Sequence, residues 1–125
     1  MVLSFDEVGE ILDEIADRLP EGMFQSLNGG VLLLEDEVPD PDNGPDLYIL
    51  GEYCVDGMGR YINIYYGSFA ALFFDEPREV WEEELDTTLR HELTHHVEAL
   101  AGERSLDRKD EAYLLEYKEE SEHDH

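Results

Sequence analysis

Hydrophobic residues near the N-terminus recur at intervals of three and four positions. The residues that share this period are Phe5, Val8, Ile11, Leu12, Ile15 and Leu19. Such spacing is typical of a helix with one apolar face. Ser4 can cap the first turn, and Glu7 stands three residues later, where it completes a capping box. The pattern therefore predicts an amphipathic helix over residues 4–19 that ends near Pro20.

Apolar runs and turn residues in the middle of the chain predict strands. Residues 31–34 are a short, continuous apolar run, which favours a buried strand. Residues 38–46 contain three prolines and predict a loop, and strand character returns at residues 47–54. Gly51, inside this second run, indicates either a bulge or a close approach of another element.

A hairpin is predicted to follow directly. Residues 56–59 have the composition of a turn, and apolar and polar residues alternate over residues 60–66. We therefore expect a small sheet of three or four strands. Residues 69–74 are compatible with a short helix or with a loop packed on the core.

The longest amphipathic pattern begins after Pro77, which suits the first position of a helix. Its apolar stripe holds Trp81, Leu85, Leu89, Leu93, His96 and Leu100, and an adjoining stripe holds His91, His95 and Glu98. Gly102 predicts the end of this helix, and Ser105 or Asp107 could cap a final C-terminal helix over residues 112–117. The expected fold class is α+β, with the sheet packed against the N-terminal helix and the long helix.

The length of 125 residues suits one domain, residues 1–125, with residues 119–125 as a frayed polar tail. No apolar run approaches the roughly 20 residues that span a bilayer, and the first residues lack the pattern of a secretory signal. We therefore expect a cytoplasmic protein. Cys54 is the only cysteine, which excludes an internal disulfide and favours a packed strand residue.

The net charge of the chain limits the classes of molecule that it is expected to bind. Asp and Glu number 33 against 8 Lys and Arg, and the formal net charge is -25. Such a surface repels nucleic acid and anionic membranes, so neither is expected as a partner. It attracts divalent cations and basic peptides, although solubility alone also accounts for an acidic composition.

The segment His91-Glu92-Leu93-Thr94-His95 indicates a definite chemistry. On a helix the two histidines lie on one face, about 6 Å apart along the axis, so that two ring nitrogens can bind one metal ion. Glu92 can then act as a general base toward an attacking water. This arrangement is typical of zinc hydrolases, and surface histidines without a metal are the plainer alternative.

A catalytic zinc site needs a third protein ligand, and several carboxylates compete for that role. Glu98 lies on the histidine stripe but about 10 Å along the axis from the first histidine, so it could instead support a ligand through that ligand's other ring nitrogen. A chain reversal at the predicted turn would return a later carboxylate toward the ion. The acids in that position are Asp107, Asp110 and Glu111.

Other candidates have plainer interpretations beside the functional ones. His96 lies on the apolar stripe, where we expect a packed, hydrogen-bonded histidine rather than a ligand. Tyr53, Tyr65 or Tyr66 could supply a phenol that stabilises an oxyanion, although aromatic packing is favoured for each.

Several motifs together resemble a known family. They are the acidic end of the first strand at residues 35–37, the tetrapeptides at residues 50–53 and 62–65, the helix start at residues 88–92, and the doubled His95-His96. With these motifs, nearly the whole chain is similar to the small bacterial zincin-like metallopeptidases, the minimal metalloprotease type. In the family motif a glycine and an aspartate follow the second histidine, and here Glu98 and Ala101 stand at those positions.

The resemblance implies a minimal zincin-like fold and the hydrolysis of peptide bonds with Zn2+ as cofactor. It also implies a role for Asp110, because Asp110-Glu111 resembles the Asp-Glu pair of the family after an insertion. The leading hypothesis is a zinc metallopeptidase in which His91, His95 and Asp110 bind the metal and Glu92 is catalytic. The alternatives are a catalytically inactive metal-binding domain and an acidic protein that binds a basic partner. The oligomeric state is left open.

Overall fold

The computed structural model describes residues 1–44 and 46–107, with side chains up to Glu103. Its first helix, α1, spans Phe5–Arg18 and is capped as predicted. Ser4 Oγ accepts a hydrogen bond from the Glu7 N–H at 3.1 Å, and Glu7 Oε1 accepts one from the Ser4 N–H at 2.9 Å. The two bonds satisfy N–H groups that have no partner within the helix. They fix the start of α1, which ends immediately before Leu19 and Pro20.

In the described part of the chain, three strands form one mixed sheet. They are β1 (Gly30–Leu34), β2 (Gly51–Asp56) and β3 (Gly59–Tyr65). β3 lies in the centre, parallel to β1 and antiparallel to β2, and the turn at residues 57–58 makes β2 and β3 the predicted hairpin. The fold is therefore α+β with a three-stranded sheet. β2 forms one edge of this sheet.

Two strand predictions need correction. β1 was expected to be buried, but it is an edge strand and Leu32 is 43% exposed on its outer face. β2 begins at Gly51 rather than at residue 47, because the preceding segment makes only an isolated bridge between Pro39 and Tyr48. Of the two interpretations of Gly51, close approach is confirmed. A Cβ atom there would lie 2.8 Å from Thr88 Cγ2 on the long helix.

Two more α-helices follow the sheet within the described residues. α2 spans Tyr66–Phe73. Of the two alternatives predicted for residues 69–74, a short helix or a packed loop, the helix is therefore the correct one. α3 spans Arg78–Asp107, and Pro77 stands just before it, with its carbonyl accepting from the N–H of Val80 at 3.1 Å. None of the described helices is long and apolar enough to cross a membrane.

The predicted end of the long helix at Gly102 was wrong. α3 continues through Gly102 to Asp107, because one glycine costs a helix only about 1 kcal/mol and neighbouring turns can support it. Ser105 and Asp107 therefore lie within α3 and do not cap a new helix. The predicted final helix at residues 112–117 and the tail at residues 119–125 fall outside the described residues.

The core lies between α1, the inner face of the sheet and one side of α3. Fully buried side chains on α3 are Trp81, Leu85, Leu89, Leu93 and His96, which confirms the apolar stripe except for Leu100, which is half-buried. Ile62 and Ile64 of β3 and Phe69 of α2 pack into the same cluster. This packing determines which side of α3 remains accessible. Both His91 and His95 lie away from the buried stripe, His91 being exposed and His95 partly so.

Candidate metal centre on helix α3

His91 and His95 converge on one point outside α3. Their Nε2 atoms are 3.1 Å apart, and the two rings meet edge to face with centroids 4.5 Å apart. Two nitrogens bound at 2.0–2.1 Å to one tetrahedral ion would be about 3.3 Å apart. The separation in this structure is therefore close to that of two ligands on one zinc ion, without any change of the helix backbone.

Glu92 lies beside the two histidines and turns toward the sheet. Its side chain is buried, with 8% exposed, and its carboxylate accepts a hydrogen bond from the backbone N–H of Tyr53 on β2. Burial raises the pKa of Glu92 above its ordinary value of 4.5, against the opposing effects of His91, His95 and the Tyr53 N–H. A carboxylate with a raised pKa is a better proton acceptor than an exposed one, which is what a general base requires.

His96 occupies the opposite environment from His95. It is fully buried, with Nδ1 at 2.8 Å from the Tyr53 hydroxyl and Nε2 at 2.7 Å from the carbonyl oxygen of Gln25. Both ring nitrogens thus have protein partners, so neither can bind a metal. The prediction of a packed, hydrogen-bonded histidine is confirmed.

The predicted third ligands are only partly within the described residues. Glu98 Oε1 lies 3.9 Å from His95 Nδ1, the ring nitrogen that does not face His91. This position suits the supporting role considered for Glu98, in which its carboxylate orients the His95 ring through Nδ1. Asp110 and Glu111 lie outside the described residues, and so does the side chain of Asp107. Among the side chains that the structure describes, which end at Glu103, no three of His, Cys, Asp or Glu are grouped to hold a metal.

The three candidate tyrosines have different partners. The Tyr65 hydroxyl donates to Glu52 Oε1 at 2.7 Å, and the Tyr66 hydroxyl donates to the carbonyl of Leu3 at 2.6 Å, near the N-terminus. Burial and the hydrogen bond to Glu52 raise the pKa of Tyr65 to about 12. Tyr53 is the candidate that contacts the motif helix, through its backbone at Glu92 and its hydroxyl at His96.

Sequence reasoning missed two parts of this environment. Glu52 is exposed on β2, and its negative charge raises the pKa of Glu92. The backbone N–H of Tyr53 was also missed as a partner of Glu92. The pairing of β2 with β3 was predicted from the sequence, but the free edge of β2 and its neighbour across that edge are decided by tertiary packing.

Comparison with known proteins identifies a relative. No protein-family model matches the chain, and no curated protein matches it. Among solved structures, a conserved hypothetical protein from Thermus thermophilus is similar, with 31% sequence identity and a TM-score of 0.71. The similarity covers 80% of this chain and 99% of the Thermus protein. It therefore extends over essentially the whole of that relative.

Proposed function

Because the chain belongs to the same family as the conserved hypothetical protein of Thermus thermophilus, whose name states no activity, we propose a function from the site itself, namely a zinc-dependent peptidase. In this proposal His91, His95 and Asp110 bind the metal and Glu92 is the general base. The observation that carries it is the convergence of the two Nε2 atoms at 3.1 Å, together with the buried carboxylate of Glu92, on whose pKa both histidines act.

The His91 and His95 rings support this proposal, because their type and spacing suit two ligands of one zinc ion. Two neutral imidazoles are common zinc ligands, and their spacing matches tetrahedral coordination. When bound, zinc polarises a substrate carbonyl and makes water acidic near neutral pH. Glu92 would accept a proton from the attacking water and later donate it to the leaving amine. The carboxylate of Glu98 would hold the His95 ring in the orientation that directs Nε2 outward.

The first experiment separates metal binding from catalysis. Purified protein, stripped of metal and reloaded, is expected to bind one zinc ion per chain by atomic absorption. Glu92→Gln is expected to retain this zinc and to cut peptides about 100-fold to 10,000-fold more slowly, the usual contribution of a general base. The matched control is Glu83→Gln, an exposed change on the same helix. Unchanged cleavage by Glu92→Gln would refute the proposed role.

The third ligand has a test of its own. Asp110→Ala is expected to weaken zinc binding by about 100-fold, since each protein ligand contributes roughly a quarter of the affinity of a four-ligand site. Glu98→Ala is expected to weaken it about tenfold, as is usual for a residue that only orients a ligand. The reverse order would assign the ligand role to Glu98.

A second candidate is a metal-binding domain without turnover. It is favoured by Glu98 and Ala101 standing at positions where the resembled family has a glycine and an aspartate. Stoichiometric zinc with no cleavage of a mixed peptide library would support this alternative.

An acidic protein that binds a basic partner is suggested by the net charge of -25 alone. Retention of such a partner by a His91→Ala, His95→Ala variant would favour that interpretation.

A further inference from the structure

Tyr53 contacts helix α3 at two points that are one helical turn apart. Its backbone N–H donates to the Glu92 carboxylate, and its hydroxyl lies 2.8 Å from His96 Nδ1. Residues four apart on a helix share a face, so Glu92 and His96 both turn toward β2. The rings of Tyr53 and His96 are also in contact, with centroids 5.3 Å apart.

The backbone contact involves an N–H group of β2 that has no hydrogen-bond partner in β3. The Tyr65 N–H donates to the carbonyl of Leu50 at 2.9 Å, so the even-numbered residues of β2 direct their backbone groups toward β3. Tyr53 alternates with them and directs its N–H away from the sheet. β2 is an edge strand, and the Glu92 side chain supplies the acceptor that a further strand would otherwise provide.

The side-chain contact belongs to a chain of hydrogen bonds with a single consistent direction. The Gln25 carbonyl can only accept, so His96 Nε2 donates to it and Nδ1 accepts from the Tyr53 hydroxyl. The Tyr53 oxygen in turn accepts from Arg60 Nη1 at 3.1 Å, and Arg60 forms an ion pair with Glu103 near the end of α3. Because each of these groups has a partner, the position of the Tyr53 ring is well determined.

We propose that Tyr53 is a positioning residue that fixes the rotation of α3 against the sheet and thereby holds the Glu92 carboxylate in place. Its anchor is His96, which gives the second histidine of the doubled pair a role separate from metal binding. A carboxylate about 6 Å from the helix axis moves about 1 Å for each 10° of rotation. A displacement of that size at a reacting group can cost 100-fold in rate. The catalytic consequence rests on the proposed peptidase function, whereas the positioning does not.

The catalytic part is tested with Tyr53→Phe, which removes the hydroxyl and keeps the ring and the backbone N–H. We expect kcat to fall about 10-fold to 100-fold, while KM and the zinc dissociation constant change less than about threefold. The matched control is Tyr61→Phe, which removes a hydroxyl bonded to Asp56 at the far end of the hairpin and should leave all three values unchanged. In an active peptidase, equal kcat values for Tyr53→Phe and wild type would overturn the catalytic part of the proposal.

The positioning is tested without activity, by amide hydrogen exchange of the metal-free protein. Exchange at the Tyr53 N–H is expected to be at least tenfold faster in Tyr53→Phe, with the N–H groups of residues 52 and 54 unchanged within the β2–β3 ladder. Glu92→Ala removes the acceptor from the helix side and is expected to produce the same local change, so the test survives if Tyr53→Phe fails to fold.

The two tests separate the two proposals. Unchanged exchange at the Tyr53 N–H in a folded Tyr53→Phe variant, or in Glu92→Ala, would overturn the positioning role even if the protein is an active peptidase. Faster exchange in a protein that cleaves no peptide would support the positioning role and refute the proposed function.

Discussion

His95 and His96 are consecutive residues with opposite surroundings. His95 is partly exposed and directs Nε2 toward His91, whereas His96 is fully buried and uses both nitrogens inside the protein. One residue along a helix is a rotation of about 100°, which here is enough to pass from the accessible side of α3 to the core. The two neighbouring rings therefore have different partners: His96 joins α3 to β2, whereas His95 is the ring that would bind the metal under the proposed function.

Glu92 lies at the boundary between the accessible side of α3 and the side that faces the sheet. On one side lie the two histidine rings, which would bind the metal under the proposed function, and on the other lies the edge of β2. Mutations on the accessible side should therefore change metal binding with little effect on stability. Mutations on the sheet side should change stability with little effect on metal binding.

The largest expected effect is on metal affinity at the accessible side. His91→Ala and His95→Ala should each weaken zinc binding by about 100-fold, as measured by competition with a chelating dye. The free energy of unfolding of the metal-free protein should change by less than about 1 kcal/mol, because neither side chain belongs to the core. Thr94→Ala, an exposed change between the two histidines, is the control and should retain affinity. Retained zinc affinity in both histidine variants would show that neither His91 nor His95 binds the metal.

A smaller effect, on stability, is expected at the buried side. His96→Leu keeps a similar volume but leaves the Gln25 carbonyl without its donor and the Tyr53 hydroxyl without its acceptor. Unsatisfied buried groups of this kind cost about 1–3 kcal/mol each, so the loss of two partners should lower the free energy of unfolding by about 2–6 kcal/mol in urea titrations. Zinc affinity should change less than about threefold. A loss of affinity as large as that of His95→Ala would mean that the two histidines act as one unit.

The smallest effect on stability is expected at Glu92, which lies between the two sides. Burial raises its pKa in the folded protein, so the ionised carboxylate lowers stability at high pH and wild type gains stability as the pH falls. In the metal-free protein Glu92→Gln should therefore be more stable near neutral pH, by less than about 1 kcal/mol. This advantage should shrink once the pH reaches the raised pKa and should vanish below the ordinary value of 4.5.

Thermal unfolding across this pH range provides the measurement. Glu83→Gln, on the exposed face of α3, is the control for charge removal alone. An advantage of Glu92→Gln that grows as the pH falls would contradict the sign of the shift.

Local patterns predicted most of the fold. Ser4 and Glu7 form the predicted capping box, because a cap depends on residues only three apart. The apolar stripe of α3 and the β2–β3 hairpin are likewise properties of one element or of two neighbours in the chain. The exposure of Leu32 was not predicted, because an apolar run does not reveal whether its strand lies at the edge of the sheet. The predicted end of α3 at Gly102 was wrong, because a glycine lowers the stability of a helix without preventing the helix from continuing on both sides of it.

Part of the candidate site was also predictable. The spacing of His91 and His95 requires only an α-helix to bring their rings together, and the structure places the Nε2 atoms 3.1 Å apart. The buried state of His96 followed from its place on the apolar stripe. The partners of Glu92 did not follow, since Tyr53 and Glu52 belong to a strand about 40 residues away in sequence. The assignment of Asp110 remains a prediction from the resemblance.

By itself, the sequence determined the elements with a local cause: a capped N-terminal helix, a hairpin, and a long helix that carries two histidines on one face. These depend on hydrogen bonds and side-chain periodicity within a few residues. Only the tertiary structure decided that β2 would present its free edge to α3. That choice gives Glu92 a backbone donor and His96 a phenol, because the rotation of a helix depends on the surfaces that pack around it.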